Sequence, residues 1–257
     1  MSLINYIRNK YHPLWFLYKF KFIRTLVSKI KITYYKKTKR FGNFYIYLPR
    51  HLGYLLNNDN IEKETYDFVT KLNLKKNIVN KTFVDIGGNI GTYSLFFKEN
   101  YNAKVFVFEP DDDNLSLLLR SKIKNQLKDF NIISLAISNE DKIESFLIDH
   151  ISGATGSISS VKNVGQIRQE LYLKKDIITL KLDNFYNIIE DISWIKIDTE
   201  GNEVNVIKGM IKILKLNKPN LIIECEDRNI DQIKELLKEI NYNIKNMNTD
   251  MNYIFYL

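Results

Sequence analysis

The sequence predicts an α/β fold in which a mostly parallel sheet is covered by helices on both faces. The first observation is a series of nearly uninterrupted apolar runs, which is typical of strands buried on both sides. These runs are Thr82–Ile86, Lys104–Phe108, Asn131–Ile137, Trp194–Asp198 and Leu221–Cys225. The second observation is that helical segments separate most of the runs. We expect helices at Gly91–Asn100, Asn114–Gln126, Gly201–Leu216 and Ile230–Ile240. The third is the short link between the last two strand-like pieces, Asn243–Met247 and Asn252–Leu257, which predicts an antiparallel final strand.

Two further segments accompany this alternating pattern. Before it, Phe41–Leu48 has the alternation of a short strand or hairpin arm, and Glu62–Leu74 is expected to form a helix. Between the third and fourth strands lies an insertion. Its parts are a strand at Ile143–Ile148, a Gly/Ser loop at Ser152–Ser160 and a strand at Ile177–Leu182.

The composition is that of a folded protein of one generous domain. The 257 residues, 45% hydrophobic and 26% charged, suffice to bury a large core. We divide the chain into an arm (1–40), a lead-in (41–80) and a main domain (81–257) that carries the insertion (143–182). The single cysteine, Cys225, excludes an internal disulfide, and with only three histidines we expect no metal site.

Positive charge is concentrated in the arm. The net charge is +8, yet residues 1–40 contain eleven Lys or Arg and no acid, which leaves 27 bases against 30 acids in the remainder. A nucleic-acid enzyme usually carries basic charge across its catalytic face, whereas this main domain is slightly acidic. We therefore expect no nucleic-acid partner.

The arm has two open interpretations. An apolar stripe from Ile4 to Phe22 fits a helical cap packed on the main domain, although Pro13 interrupts it. Basic residues interleaved with aromatic ones also fit a segment that lies on an anionic membrane. Its longest uncharged run, Tyr11–Tyr18, is too short to span a bilayer, and the arm lacks the features of a signal peptide. We expect a cytoplasmic protein, with peripheral contact at the inner membrane surface under the second interpretation.

The segment from Thr82 to Phe97 predicts a ligand site at the carboxyl edge of the sheet. It contains a strand, a glycine turn and the start of a helix. Gly87, Gly88 and Gly91 allow a tight turn that brings backbone N–H groups close to a ligand. The spacing differs from the GxGxxG dinucleotide fingerprint, so the turn alone also fits a purely structural role.

Two acids indicate which ligand is bound. Glu109 ends the second strand, twenty-four residues after Asp85, where a nucleoside-binding fold places a carboxylate that accepts hydrogen bonds from ribose hydroxyls. Asp85, at the end of the first strand, would repel a pyrophosphate and attract a cation. S-adenosylmethionine carries a sulfonium, an ammonium and no phosphate, so we predict this cofactor rather than NAD.

Four motifs follow one another along the main domain. They are Asp85–Gly91 (DIGGNIG), Phe108–Pro110 (FEP), Leu182–Asp183 followed by Ile195–Glu203 (IKIDTEGNE), and Pro219–Glu224 (PNLIIE). Together they closely resemble the FkbM family of S-adenosylmethionine-dependent methyltransferases. The resemblance extends from about Phe83 to the C-terminus, with IKID-x-EG as its most specific element, and leaves the arm outside. Gly88 stands where the family pattern usually has Ala.

This resemblance implies a class I methyltransferase fold, with a seven-stranded Rossmann-like sheet, and O-methylation. It also implies substrates of saccharide or secondary-metabolite pathways, so we expect the acceptor to be a sugar hydroxyl in a glycan or glycan precursor, as in polysaccharide biosynthesis. The predicted cofactor-binding residues are Asp85, Gly87, Gly88, Asn89, Gly91, Thr92, Glu109, Pro110, Asn114, Ala136, Ile137 and Asp198.

The predicted reaction site lies at the end of the fourth sheet strand. Lys196 and Asp198 share one side of this strand, and a lysine in an apolar strand needs partners. With class I strand order, Asp85 and Glu224 are the natural partners of Lys196. We predict Asp198, Glu224 and His150 as catalytic residues, with His150 or Glu224 taking the proton of the acceptor hydroxyl.

Two other classes of function stay open. An NAD-dependent oxidoreductase could use a similar sheet, although the missing GxGxxG pattern and the presence of Asp85 disfavour it. A non-catalytic adaptor could dock on a membrane or a glycan-assembly complex through its arm, although the intact site residues disfavour it.

Removal of residues 1–40 tests the membrane interpretation. If the arm is an anchor, the full-length protein should sediment with anionic vesicles and detach as salt rises, because salt screens the attraction beyond about 8–10 Å. The truncated chain should bind S-adenosylhomocysteine and no longer sediment. Full-length protein that ignores anionic vesicles at low salt would contradict this interpretation.

Overall fold

The computed structural model describes residues 38–48, 62–74, 78–149, 156–158, 172–247 and 252–257. The chain divides into two units, Met1–Thr38 and Lys39–Leu257, and the described residues belong almost wholly to the second. Nearly all of the arm, together with His150, lies outside these ranges. Within them, no helix has the length and apolar character needed to cross a membrane.

The described part of the chain contains strands and helices in the following order. They are β1 (Thr38–Phe41), β2 (Phe44–Tyr47), α1 (Lys63–Asn73), β3 (Thr82–Ile86), α2 (Thr92–Tyr101), β4 (Lys104–Phe108), α3 (Asp112–Lys124), β5 (Phe130–Ile133), β6 (Ala136–Ile137), β7 (Lys142–Asp149), β8 (Ser157–Ile158), β9 (Tyr172–Leu180), β10 (Ile192–Ile197), α4 (Glu203–Lys208), α5 (Ile211–Asn217), β11 (Asn220–Glu224), α6 (Asp227–Leu237), β12 (Asn243–Met247) and β13 (Asn252–Tyr256).

A seven-stranded sheet forms the centre of the main unit. Its spatial order is β12, β13, β11, β10, β3, β4, β5. The strands from β11 to β5 pair in parallel, and β13 runs antiparallel to both of its neighbours. The predicted fold class is therefore confirmed: a mostly parallel seven-stranded sheet with an antiparallel last strand.

Alternating side chains of the strands point to two separate cores, one on each face of the sheet. Val84, Ile195 and Ile223 belong to the core that α4, α5 and α6 cover. Phe83, Trp194 and Ile222 belong to the core that α1, α2 and α3 cover. Because both faces are covered, successive residues of each strand are buried and apolar, and this continuous apolar pattern is the one that predicted the strands.

The insertion forms a second sheet of four strands, in the order β6, β9, β7, β8. Its main pair, β7 and β9, is antiparallel, and β9 begins well before the predicted Ile177–Leu182. The single strand predicted at Asn131–Ile137 is wrong, because the chain leaves the central sheet after Ile133 and pairs β6 with β9. An unbroken apolar run carries no mark of such a change of sheet.

The single helix predicted at Gly201–Leu216 is also wrong, since it is divided into α4 and α5. The division falls at Gly209, where a Cβ would lie only 2.0 Å from the carbonyl oxygen of Ser138. The backbone after β6 therefore approaches this helix pair so closely that only glycine fits. Of the remaining helices and strands, β3, β4 and β12 have the predicted bounds, and the others agree to within a few residues at their ends. The short strand β8 is an exception, because it lies within the predicted Gly/Ser loop at Ser152–Ser160.

Aromatic packing holds α1 and α2 against the sheet. The ring of Phe83 stacks on that of Phe97 with centroids 3.9 Å apart, and Phe97 also contacts Trp194 at 5.9 Å. The indole N–H of Trp194 donates a hydrogen bond to Oδ1 of Asn73 in α1 at 3.0 Å, so this buried polar group is satisfied.

Phe83→Ala should destabilise the main unit strongly. The side chain is fully buried against Phe97, so its loss removes apolar burial and leaves a cavity, at a cost of about 3–5 kcal/mol in the free energy of unfolding. Urea unfolding followed by circular dichroism measures this. Leu119→Ala, at a half-exposed position of α3, is the control and should change the free energy by no more than about 0.5 kcal/mol. Equal effects of the two changes would contradict the assigned packing.

Candidate active site

A cleft opens at the carboxyl ends of β3, β4 and β10, with the insertion sheet as its other wall. Parallel strands deliver their following loops to this one edge, which is where α/β sheets bind ligands. The cleft has a volume of about 580 Å³, part of it open to solvent. Eight of the predicted site residues line it: Gly87, Asn89, Glu109, Pro110, Asn114, Ala136, Ile137 and Asp198.

The glycine turn after β3 packs tightly against the end of β10. Gly87 has a φ of +75°, and a Cβ there would lie 1.8 Å from the carbonyl oxygen of Asp198. The backbone of Asp198 also donates a hydrogen bond to the Ile86 carbonyl at 3.0 Å. The turn therefore requires glycine at this position and holds the backbone of Asp198 against the turn. Gly91 forms the N-cap of α2, which Thr92 begins, and neither residue lines the cleft.

Glu109 lies at the end of β4 with its carboxylate held by backbone donors. Its Oε2 accepts from the N–H of Asn89 at 2.7 Å, and its Oε1 accepts from the N–H of Asp111 at 2.8 Å. Burial raises the pKa of Glu109 from 4.5 to about 7 in spite of these hydrogen bonds, which act in the opposite direction. Glu109 therefore connects the glycine turn to the start of α3, where the side chain of Asp111 caps the helix.

Asp85 and Gly88 lie beneath the cleft and do not line it. A Cβ on Gly88 would lie 3.3 Å from Cγ of Asp85, and the hydroxyl of Ser94 in α2 donates to Oδ2 of Asp85 at 2.5 Å. Burial raises the pKa of Asp85 from 3.8 to about 6, although Ser94 and Lys196 oppose the rise. Direct contact of Asp85 with a cofactor stays a prediction. Among the described residues, the charge of Asp85 helps to raise the pKa of Lys196.

A group of polar side chains surrounds Lys196 on the face of the sheet that α1 and α2 cover. The ammonium lies 3.8 Å from Oδ2 of Asp198 and 3.4 Å from Oε2 of Glu224, and it donates to Oδ1 of Asn252 at 3.2 Å. It also lies 5.1 Å from the ring centroid of Tyr93. A lysine that is only 1% exposed is thus provided with partners. Of the two partners expected from the sequence, Glu224 is among these contacts, whereas Asp85 forms no ion pair with Lys196 and only its charge acts on the ammonium.

The charges of this group change how its acids ionise. Burial, and then the neighbouring Asp198, raise the pKa of Glu224 from 4.5 to about 8, against the opposing effect of Lys196. Burial lowers the pKa of Lys196, but Asp198, Glu224, Glu62 and Asp85 together overcome this and raise it. Lys196 is thus a fixed cation, and Glu224 is a carboxyl group that can hold or release a proton near neutral pH.

The loop after β10 contributes three lining residues that sequence reasoning did not assign: Thr199, Glu200 and Asn202. Glu203 holds this loop, because its Oε1 accepts from the N–H groups of Gly201 at 2.8 Å and of Thr199 at 3.3 Å. The acids of the TEGNE motif indicate a polar loop after β10, but the sequence does not show which of them faces the cleft. Glu224, by contrast, does not line the cleft. It contacts Lys196, which in turn lies near Asp198 in the lining.

The insertion sheet provides an apolar wall. Phe146 and Ile158 line the cleft and are buried in a small cluster with Ile177. Gly156 lies against this wall, since a Cβ there would be 2.8 Å from Cζ of Phe146. Sequence reasoning placed strands in the insertion and missed this wall, because nothing in the local pattern shows which strand face turns toward the cleft. His150, the other predicted residue of the insertion, lies outside the described residues.

The mostly parallel seven-stranded sheet with its antiparallel last strand is the fold of a class I methyltransferase, and the comparison with protein families agrees. The chain belongs to the FkbM methyltransferase family: the model of the methyltransferase FkbM domain matches residues 85–255, which is about two thirds of the 257 residues. No curated protein sequence matches the chain significantly.

Three solved structures illustrate the likeness of fold. Methyltransferase FkbM from Methylobacillus flagellatus KT is similar at 19% identity with a TM-score of 0.49, over 69% of this chain and 44% of that one. This chain thus spans less than half the length of that protein. Precorrin-6y C5,15-methyltransferase from Geobacter metallireducens GS-15 is similar at 10% identity with a TM-score of 0.43, over 73% and 85% of the two chains. TYW2 from M. jannaschii, solved in complex with AdoMet, is similar at 12% identity with a TM-score of 0.44, over 85% and 82%.

Glu109 should make the binding of S-adenosylhomocysteine depend on pH. Its pKa of about 7 means that the carboxylate takes up a proton as the pH falls through neutrality, and a neutral carboxyl group accepts hydrogen bonds less strongly. We expect the affinity, measured by calorimetry, to decrease on the acid side of about pH 7 by at most about tenfold per pH unit.

Glu109→Gln provides the matched comparison. The amide cannot ionise, and its NH2 group must face one of the two backbone N–H donors that the carboxylate accepts, so affinity at about pH 8 should drop roughly tenfold or more and no longer depend on pH. A wild-type affinity that stays constant across this range would contradict the role assigned to Glu109.

Proposed function

We propose that this protein is an S-adenosylmethionine-dependent O-methyltransferase. The observation that carries the proposal is the charge of the cleft. Four acids line it, namely Glu109, Asp111, Asp198 and Glu200, and the described part of the lining contains no Lys or Arg. Such a cleft attracts a ligand that bears a sulfonium and an ammonium and disfavours the pyrophosphate of NAD.

The residues present fit this cofactor. Glu109 is buried at the cleft, and a carboxylate at the end of the second strand can accept hydrogen bonds from two adjacent ribose hydroxyls. The apolar side chains of Ile137, Phe146 and Ile158 offer a surface for a nucleoside base. S-adenosylmethionine, when bound, supplies a methyl group that is activated by its attachment to a positively charged sulfur.

The chain itself would orient the acceptor and handle its proton. Asp198 lies at the edge of the cleft and is fixed by its backbone hydrogen bond to Ile86, so it can hold an acceptor hydroxyl in line with the methyl group. The hydroxyl must lose its proton during transfer. Glu224 and His150 are the candidate proton acceptors. Glu224 does not line the cleft, so it would take the proton through one bridging water, and its raised pKa suits a base that works near neutral pH.

The acceptor that we propose is a sugar hydroxyl of a glycan or a glycan precursor. The resemblance of the sequence motifs to the FkbM family supports this choice, and the mixed cleft is compatible with it, since carboxylates bind hydroxyl groups and apolar residues bind the faces of sugar rings. Peripheral contact of the basic arm with an anionic membrane would bring the protein close to lipid-linked precursors and is proposed on the charge of residues 1–40.

Two measurements test the proposed function. Calorimetry should detect S-adenosylhomocysteine binding and no comparable binding of NAD. Incubation with methyl-labelled S-adenosylmethionine and a panel of nucleotide sugars and oligosaccharides should transfer label to one class of acceptor. Binding of NAD in preference to S-adenosylhomocysteine would favour the oxidoreductase alternative. Cofactor binding without transfer to any acceptor would favour a non-catalytic adaptor.

Asp198→Asn should keep the fold and lose most of the methylation rate. The amide preserves the shape but removes the negative charge at the edge of the cleft, so we expect kcat to fall about 10²–10³-fold. Asp231→Asn, at an exposed position of α6, removes an equal charge and should leave kcat unchanged. Near-wild-type turnover of Asp198→Asn would return this residue to a structural role.

The pH dependence of kcat should identify the proton acceptor. A base must be ionised to act, so a rate limited by Glu224 should rise with pH to a midpoint near 8, whereas one limited by a histidine should level off near about 6.5. Glu224→Gln should then abolish the rise and lower kcat by about 10²–10⁴-fold. If His150→Ala has this effect instead, His150 is the base.

A further inference from the structure

Glu62, in the lead-in, lies outside the residues matched by the FkbM model and yet reaches the polar group around Lys196. It directly precedes α1 in a left-handed backbone conformation with φ of +59°, which is uncommon for a residue other than glycine and indicates a local constraint. Its Oε2 accepts hydrogen bonds from Nδ2 of Asn252 at 2.7 Å and from the hydroxyl of Tyr93. The conformation thus turns a carboxylate inward.

Asn252 connects Glu62 to the catalytic candidates. Its Oδ1 accepts from the ammonium of Lys196 at 3.2 Å, and that ammonium lies 3.4 Å from Oε2 of Glu224. The amide is fully buried, and its two ends face opposite charges, with the Lys196 cation at the oxygen and the Glu62 anion at the nitrogen. This arrangement fixes the orientation of the amide and, with it, the position of the ammonium.

We propose that Glu62 is a positioning residue of the methylation site, which acts through Asn252 and Lys196 to fix the Glu224 carboxyl group and to control its ionisation. The inference rests on the proposed function only in the task that it gives to Glu224. The proposal adds Glu62, a residue of the lead-in that does not line the cleft, to the residues that control the site.

The charges around Glu224 determine the direction of the effect. Among the described residues, the charged groups that act on it are Lys196 and Asp198 from β10 and its following loop, and Glu62 from the start of α1. The thiol of Cys225, whose pKa is raised by burial, is a further titratable neighbour. Burial and the Asp198 charge are the larger causes of the raised pKa of Glu224, and the Glu62 charge acts in the same direction. Removal of the Glu62 charge should therefore make Glu224 ionise at lower pH.

Glu62→Gln is the first test, because the amide keeps the shape and can still accept the hydrogen bond from Asn252. Carbon-13 NMR of protein labelled at glutamate side-chain carboxyls follows the titration of Glu224, with Glu224→Gln used to assign its signal. We expect the midpoint to fall by about 0.5 to 1 pH unit, while the affinity for S-adenosylhomocysteine stays the same. Asp67→Asn, which removes an equal charge from an exposed position of α1, should leave the midpoint unchanged.

Asn252→Ala is an independent second test, which also decides the matter if Glu62→Gln does not fold. It keeps the Glu62 charge but removes the connection, so the ammonium of Lys196 should turn wholly to Asp198 and Glu224 and again lower the midpoint. An unchanged midpoint in folded Glu62→Gln, or in Asn252→Ala, would overturn the proposal. The titration is measured without cofactor, so it gives its answer even if the wild-type protein binds no S-adenosylhomocysteine, an outcome that would defeat the proposed function alone.

Discussion

The burial of one ammonium group, that of Lys196, constrains the whole reaction side of the molecule. Lys196 lies in β10, between β3 and β11 at the centre of the sheet, and is only 1% exposed. A cation there would cost several kcal/mol without partners. Asp198, Glu224 and Asn252 supply those partners from the ends of β10, β11 and β13. The need to satisfy one charge thus brings the polar ends of three strands together at the edge where a ligand binds.

The burial of this group also changes how its acids ionise. Burial is the largest cause of the raised pKa values, which reach about 6 at Asp85 and about 8 at Glu224, and the Asp198 charge adds to the rise at both. Each is therefore able to change its protonation near neutral pH. Asp198 is the member of the group that lines the cleft and also lies beside the Lys196 ammonium. The Lys196 ammonium lies behind Asp198 and does not line the cleft, and the described part of the lining contains acids and no Lys or Arg.

The sequence predicted those parts of the fold and site that depend on neighbours along the chain. The glycine turn, Glu109 at the end of β4 and the antiparallel β13 all follow from local pattern and spacing, and the described structure contains them. The break between β5 and β6, the interruption of the helix at Gly209 and the apolar wall at Phe146 do not. Each depends on the approach of a distant segment, as does the contact between Glu62 and Asn252, which are 190 residues apart in sequence. A continuous apolar run does not show where the chain passes from one sheet to the other, because apolar strands of either sheet have the same sequence pattern.

The two walls of the cleft therefore have different origins, and this bears on how its functions are divided. The polar wall comes from short loops that follow β3, β4 and β10, and its geometry is set by the register of the central sheet. The apolar wall comes from the insertion, which is joined to the polar wall where Lys175 of β9 donates to Oδ1 of Asp112 at 2.7 Å and to the carbonyl oxygen of Pro110 at 3.3 Å. Phe146 and Ile158 of the insertion pack with Ile177 in a small cluster of their own, apart from the two cores of the central sheet. We therefore expect changes in this cluster to alter the apolar surface that the cleft offers to a ligand, and changes at the strand ends to alter its chemistry.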